Sequence, residues 1–209
     1  MYSGITQGLF PVIEVIKKPG LIIYSVQLNK TMSENLNIGA SVAVDGVCQT
    51  VVSLENNIVT FHAMQETLDK TTLSDLVPQQ NVSIERSMQL GHEIGGHEVA
   101  GHVDGTATIA NIETSENNLT LKIQCPKNWM KYIFQKGFIA VDGSSLTVGN
   151  TDPNGFFMIH LIPETLRVTN FGNKQVGDSV NIELDYKTKV IVDTTERVLA
   201  LREGLNLNT

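Results

Sequence analysis

The chain has 209 residues, with 15 Lys and Arg against 22 Asp and Glu for a formal net charge of -7, so it lacks the basic footprint that nucleic acid or an anionic membrane surface demands. Its 41% hydrophobic and 18% charged residues describe a globular chain of one to two domains rather than a disordered one. No leader-like or bilayer-length apolar run is present, which points to a soluble, cytoplasmic protein whose two cysteines, Cys48 and Cys125, stay reduced.

Taken in chain order, short alternating apolar runs predict strands over Pro11 to Ile16, Leu21 to Gln27, Ser41 to Asp45, Asn57 to Met64 and Asn81 to Glu85. Glu66 to Leu73 has room for two helical turns. The same succession returns at Ala107 to Ile112, Leu119 to Gln124, Phe138 to Asp142, Phe156 to Leu161 and Val180 to Leu184, with short helical candidates at Asn128 to Phe134 and Glu164 to Phe171. Counting the run after each Asp-Gly gives about six strands per half, which suits a small closed barrel with no exposed sheet edge. A last helix is expected to begin at Asp193, with Glu196 completing a cap and Val198, Leu199 and Leu201 forming an apolar stripe that needs a partner. The expected organisation is a barrel over residues 1–97, a second over 98–188, and a helix and tail over 189–209.

The two halves repeat one another. Ala43-Val44-Asp45-Gly46-Val47-Cys48-Gln49-Thr50-Val51 matches Ala140-Val141-Asp142-Gly143-Ser144-Ser145-Leu146-Thr147-Val148 at six of nine positions with an offset of 97. Gly4-Ile5-Thr6-Gln7-Gly8 falls on Gly101-His102-Val103-Asp104-Gly105 at the same offset. One residue of slip then aligns His62-Ala63-Met64-Gln65-Glu66-Thr67-Leu68 with His160-Leu161-Ile162-Pro163-Glu164-Thr165-Leu166, and residues 81–85 with 179–183. Ordered matches at this period indicate two duplicated domains. Duplicated domains either present related pockets for like ligands or merely enlarge the fold.

Differences between the halves mark where related pockets diverge. Cys48 stands opposite Ser145, Val47 opposite Ser144 and Gln49 opposite Leu146, as chemical groups or as small core residues. His92, His97 and His102 cluster at the junction. His92 and His97 are five apart around Gly95-Gly96, which fits no H-E-x-x-H helix, and the three make a poor metal cluster. No G-x-G-x-x-G motif, Walker loop or G-x-S-x-G elbow occurs, so nucleotide folds and a hydrolase nucleophile are unsupported.

Met1-Tyr2-Ser3-Gly4-Ile5, Glu93-Ile94-Gly95-Gly96-His97, Gly101-His102-Val103, Gly137 to Gly143, Ser145-Leu146-Thr147-Val148, Leu161 to Thr165 and Val192-Asp193-Thr194 with Glu196-Arg197 together resemble the riboflavin synthase alpha-chain family over residues 1 to about 203. The resemblance implies an all-β chain of two tandem six-stranded Greek-key barrels and a C-terminal helix that assembles a homotrimer. It implies a cofactor-free, metal-free dismutation of two 6,7-dimethyl-8-ribityllumazine molecules, one donating four carbons to the other. The products are riboflavin and 5-amino-6-(ribitylamino)uracil, made between barrels of neighbouring subunits. It matches Cys48, His97, His102, Asp142, Ser145 and Thr147 to catalysis, with Asp142 equally suited to fixing its turn. It matches Gly4-Ile5-Thr6, Ser41, Val47-Cys48-Gln49-Thr50, His62-Ala63-Met64-Gln65-Glu66-Thr67, Gly101-His102-Val103, Lys136, Ser145-Leu146-Thr147 and His160-Leu161-Ile162-Pro163-Glu164-Thr165 to substrate binding. Tyr2, Gln49 and Ser144 depart from the family's usual Phe, Leu and apolar residue, and Tyr2 adds a hydroxyl that needs a partner. Lumazine proteins, which look similar but hold a lumazine or flavin without turning it over, are the alternative. In them the second half is degraded and the helix missing, whereas both are kept here.

Overall fold

Period-two alternation gives each strand one face for a barrel interior: along Ile58–Met64, the residues Val59, Phe61 and Ala63 are buried while His62 and Met64 face out. The computed structural model describes residues 1–91, 93–116 and 118–206; His92 and the tail from residue 207 lie outside the described residues. Strands β1 (Gly8–Lys18), β2 (Leu21–Gln27), β3 (Ser41–Val44), β4 (Val47–Glu55), β5 (Ile58–Met64) and β6 (Asn81–Arg86) close a barrel in the order β1-β2-β5-β4-β3-β6. Strands β7 (Gly105–Ser115), β8 (Asn118–Gln124), β9 (Phe138–Val141), β10 (Ser144–Asp152), β11 (Phe156–Leu161) and β12 (Ser179–Leu184) close a second in the matching order β7-β8-β11-β10-β9-β12. All strand pairs are antiparallel. The crossings from β2 to β3 and from β5 to β6, with their counterparts, give each barrel a Greek-key path.

Barrel closure needs bent strands, and the bends sit at bulges. The register between β1 and β2 shifts between Val12 and Glu14, and that between β7 and β8 shifts between Ile109 and Asn111. Each barrel has its own core, centred on Tyr24, Phe61 and Ile84 in the first and Phe157, Phe171 and Ile182 in the second. Full burial of each such side chain contributes about 1.5–3 kcal/mol.

The barrels meet about a local twofold relation that the repeat offset anticipates. Tyr2 pairs with its own counterpart Val99 through Tyr2 N–H to Val99 O at 2.7 Å and Val99 N–H to Tyr2 O at 3.0 Å. The two Asp-Gly hairpin turns also touch. Positive φ at Asp45 (43°), Gly46 (81°), Asp142 (42°) and Gly143 (81°) is the type I′ pattern, and a Cβ on Gly46 would lie 2.4 Å from Gly143 N. Glycine is therefore required twice over, for the turn and for the contact between turns.

Between β2 and β3 lies α1 (Lys30–Ser33), capped by Asn29. The predicted helices after β5 and β11 are each split. α2 (Gln65–Lys70) and α3 (Pro163–Val168) end at Thr71 and Thr169, whose hydroxyls turn back onto the carbonyls of Thr67 and Thr165, and short 3-10 turns follow. The final helix, α4, spans Tyr186–Asn206 and starts well before the expected Asp193. Asp185 caps it, accepting from the Thr188 N–H at 2.8 Å and the Thr188 hydroxyl at 2.6 Å. Asp193 instead lies within the helix, where its carboxylate accepts from the Tyr132 hydroxyl. The described contacts of α4 with the second barrel include ion pairs from Lys131 to Asp193 and Glu196 and from Lys189 to Asp104. Tyr186, Ile191, Leu199 and Leu201 are exposed.

Candidate active site: two clefts related by the internal repeat

The segment that leads into each barrel crosses to the other one. The Ser145 N–H donates to the Gly4 carbonyl at 2.7 Å, and the Cys48 N–H donates to the Gly101 carbonyl at 2.9 Å. Buried carboxylates hold both segments down. Glu85 accepts from the Ser3 N–H and hydroxyl, each at 2.8 Å, and Glu183 accepts from the Ala100 and Gly101 N–H groups at 2.7 and 2.8 Å. Burial pushes both carboxyls above the ordinary range, and these donors offset part of the rise.

Each crossing leaves a cleft against a hairpin and a short helix. The first-barrel cleft, about 240 Å³, is lined by Val47, Cys48, Glu66, Thr67, Lys70, Gly101, His102 and Val103. The second-barrel cleft, about 220 Å³, is lined by Gly4, Ile5, Thr6, Ser144, Ser145, Leu146, Glu164, Thr165, Val168 and Thr169. Offsets of 97 and 98 superpose nearly every wall of one on the other. A larger apolar cavity, about 440 Å³, lies between Met1, Glu98 and the start of α4 and adjoins the first cleft at His102.

The polar groups at the two floors differ. In the first cleft the Tyr2 hydroxyl donates to Cys48 Sγ at 3.2 Å. Tyr2 is fully buried, and burial first, then the contact with Cys48, pushes its pKa far above 10, so the phenol stays a donor. In the second cleft His97 Nδ1 lies 2.6 Å from the Ser145 hydroxyl, and the imidazole stacks on Phe138 at 5.1 Å. Burial holds the His97 pKa below 6.5, so the ring is neutral near pH 7 and can take a proton. A Cβ on Gly96 would meet the Ser3 carbonyl at 2.3 Å and Ser145 Oγ at 2.8 Å, which explains glycine just ahead of His97.

The remaining predicted residues divide by position. His62, Met64, His160 and Ile162 face outward beside the clefts, with His160 Nδ1 hydrogen-bonded to the Thr120 hydroxyl at 2.9 Å. Gln65, Glu66, Pro163 and Glu164 are exposed at the starts of α2 and α3. Glu66 pairs with Lys70 and Glu164 with Arg167. The side chains of Ala63 and Leu161 fill the barrel interiors. Ser41 is half-buried; Thr50, Lys136 and Thr147 are exposed and absent from both linings. Gln49 is buried, its amide N–H donating to the Cys48 carbonyl at 2.9 Å. Asp142 is 1% exposed and lies between the barrels, accepting from the Asn181 N–H at 2.7 Å and the Asn170 amide at 3.1 Å, with Lys174 at 3.3 Å. That placement favours the turn-fixing role over contact with a ligand. Tyr2, Lys70, Ser144, Val168 and Thr169 were not among the predicted site residues. The hydroxyl of Tyr2 was the signal for the first, the alignment of Ser144 with the predicted Val47 was the signal for the third, and Lys70, Val168 and Thr169 come in with the helices α2 and α3. Among the described residues no group of three His, Cys, Asp or Glu side chains is placed to hold a metal.

Comparison with known proteins gives the same doubling. The family described as the lumazine binding domain matches residues 3–87 and again residues 100–185. Riboflavin synthase of Escherichia coli (strain K12) is 47% identical over 98% of this chain and 96% of its own, and that of Buchnera aphidicola subsp. Baizongia pistaciae is 36% identical over 100% and 98%. The solved structure of LumP complexed with riboflavin is similar in fold, with a TM-score of 0.82 and 25% identity over 88% of this chain and 99% of that one. Two lumazine-binding domains in tandem, full-length identity to these enzymes and an intact cleft on each barrel establish that the chain belongs to the riboflavin synthase family.

Proposed function

We propose that the chain converts two molecules of 6,7-dimethyl-8-ribityllumazine into riboflavin and 5-amino-6-(ribitylamino)uracil, with one lumazine in each kind of cleft. The observation that carries this reading is the pair of clefts with matched walls and unmatched floors. Like walls suit like substrates, and unlike floors let one donate while the other accepts.

The chemistry asks for little beyond placement. The methyl on C7 of the lumazine is acidic because its carbanion spreads into the heterocycle, so a neutral histidine suffices as base. His97, beside Ser145, and His102, in the first cleft, are the candidates. The carbanion adds to the second lumazine, which becomes the four-carbon donor, and Cys48 or Ser145 assists by adding to that second ring and leaving again as its carbons are released. The four-carbon unit leaves the donor with both C–N bonds broken and closes the new carbocycle on the acceptor. Atoms and electrons balance between the two lumazines, so no external oxidant enters. Holding both rings together replaces a bimolecular encounter, which is the main gain such a site offers.

Each cleft is smaller than the roughly 300–1,000 Å³ usual for a ligand pocket, and the two linings have no residue in common. Further walls are therefore expected from a neighbouring subunit, with the first cleft of one chain facing the second cleft of another. The exposed apolar side chains of α4 suit it to join three chains in a cytoplasmic homotrimer. The second cleft and α4, both present, argue against a non-catalytic lumazine or flavin carrier.

Incubation of the purified chain with 6,7-dimethyl-8-ribityllumazine, followed by absorbance, is expected to yield one riboflavin for every two lumazines consumed. Tight binding without product would establish the carrier instead.

A further inference from the structure

Two equivalent positions carry hydroxyls in one cleft and only methyls in the other. Thr6 and Ser144 line the second cleft, and an offset of 97 carries them onto Val103 and Val47, which line the first. The Thr6 and Ser144 hydroxyls lie 3.0 Å apart in a hydrogen bond, and both residues are buried, at 9% and 4% exposure. The substitution is thus two for two at one place in a duplicated wall.

A need for stability does not explain it. Replacing both members of a buried hydrogen-bonded pair by apolar groups of similar shape is close to neutral, and valines at 47 and 103 show that the same backbone accepts them. One hydroxyl can donate to the other and no more, so the second proton and the spare lone pairs have no further protein partner among the described residues. Two buried hydroxyls with one donor in hand, in the wall of a cleft, are suited to a polar atom of whatever fills it.

We infer that Thr6 and Ser144 are a specificity-determining pair, which hydrogen-bonds a polar group of the ligand in the second cleft at the point where the first cleft offers only methyls. This rests on the lumazine reading above. The group is either a hydroxyl of the ligand's polyol chain or a heteroatom of its ring; both offer the same donor and acceptor chemistry. The second cleft accordingly discriminates by hydrogen bonding at this wall, and the first by shape alone.

The test is equilibrium binding, not turnover, on the full-length assembled protein carrying Thr6→Val with Ser144→Val. Titration with 6,7-dimethyl-8-ribityllumazine is expected to show one of two sites per chain weakened about 3- to 10-fold, as the loss of one hydrogen bond implies, with the other unchanged. Thr6→Ser, which keeps the hydroxyl, is expected to bind as the unaltered protein does, and an unchanged circular dichroism spectrum would show that both variants fold. Repeating the titration with 6,7,8-trimethyllumazine, which has no polyol, separates the two sources. Loss confined to the ribityl compound assigns the bond to the polyol, and equal loss with both assigns it to the ring. Two unchanged sites, or two sites weakened alike, would overturn the inference. If the unaltered protein bound no lumazine at all, the functional reading would fail instead.

Discussion

The contact between Tyr2 and Cys48 makes a quantitative prediction, because a fully buried phenol cannot turn to water for another acceptor. Cutting the thiol back to a methyl in Cys48→Ala leaves that hydroxyl without its sulfur partner, a loss of about 1–3 kcal/mol for a buried polar group. The thiol is a weak acceptor, so the lower part of that range, about 1–2 kcal/mol, is expected. For a chain of this size that lowers Tm by about 2–8 °C, read at one fixed protein concentration. Tyr2→Phe removes the donor and leaves only a weak acceptor unpaired, so its Tm is expected within about 2 °C of the parent. With no phenol left to strand, Tyr2→Phe/Cys48→Ala should melt above Cys48→Ala alone. Strict additivity of the two single changes would refute the coupling. Cys48→Ser, which keeps an oxygen for the phenol, is expected to hold its Tm and lose turnover; unchanged kinetics would leave the thiol a packing residue.

Two further outcomes follow from the contacts between the barrels and from the last helix. Burial, and then the Asp142 carboxylate beside it, push the Asp45 carboxyl from 3.8 up to about 8. The folded chain then holds a proton that the unfolded chain releases above about pH 4, so stability falls as pH rises from about 4 to 8 and levels beyond. Asp45→Asn should flatten that slope in Tm measured across pH 5 to 8.5, and an equal slope in both proteins would count against the shared burial. Truncation before Tyr186 removes a helix whose described ties to the barrel include surface ion pairs, so both barrels should stay folded while the proposed trimer gives way to monomers in light scattering. A truncated chain that remained trimeric would place the subunit contacts elsewhere.

Much of the fold was legible because it is written in local chemistry. Alternation in residues such as Val59, Phe61 and Ala63 marks a strand with one buried face, and Asp-Gly at 45–46 and 142–143 marks the hairpin turns. The last helix misled because Asp193 with Glu196 imitates a capping box, while the cap in use, Asp185 with Thr188, directly follows a strand and reads as its end. Helix pattern alone cannot choose between two acidic residues one helical stretch apart. At the candidate site the offset showed which residues are equivalent, but not that Gly4 would cross to Ser145 and Gly101 to Cys48, since equivalence is silent about which barrel a segment lies on. Asp142 had two roles open to it, and its burial against Asn170, Asn181 and Lys174, which suits the turn-fixing one, is set by contacts between the barrels that no local pattern carries.

The crossing also accounts for why a symmetric scaffold has unequal floors. A segment that leaves its own barrel to wall the other brings its flanking residues with it, and those flanks differ between the two copies. The first crossing, Ser3 to Thr6, follows Tyr2, whose backbone pairs with Val99 at the local axis and whose hydroxyl reaches the Cys48 floor. The second, Ala100 to Val103, is preceded by the junction, which places His97 on the Ser145 floor. Duplication thus keeps most of the two walls alike, while the linker that joins the copies brings an imidazole to one floor and leaves the other with a phenol. A pair of identical substrates needs that inequality if one is to be deprotonated and the other attacked.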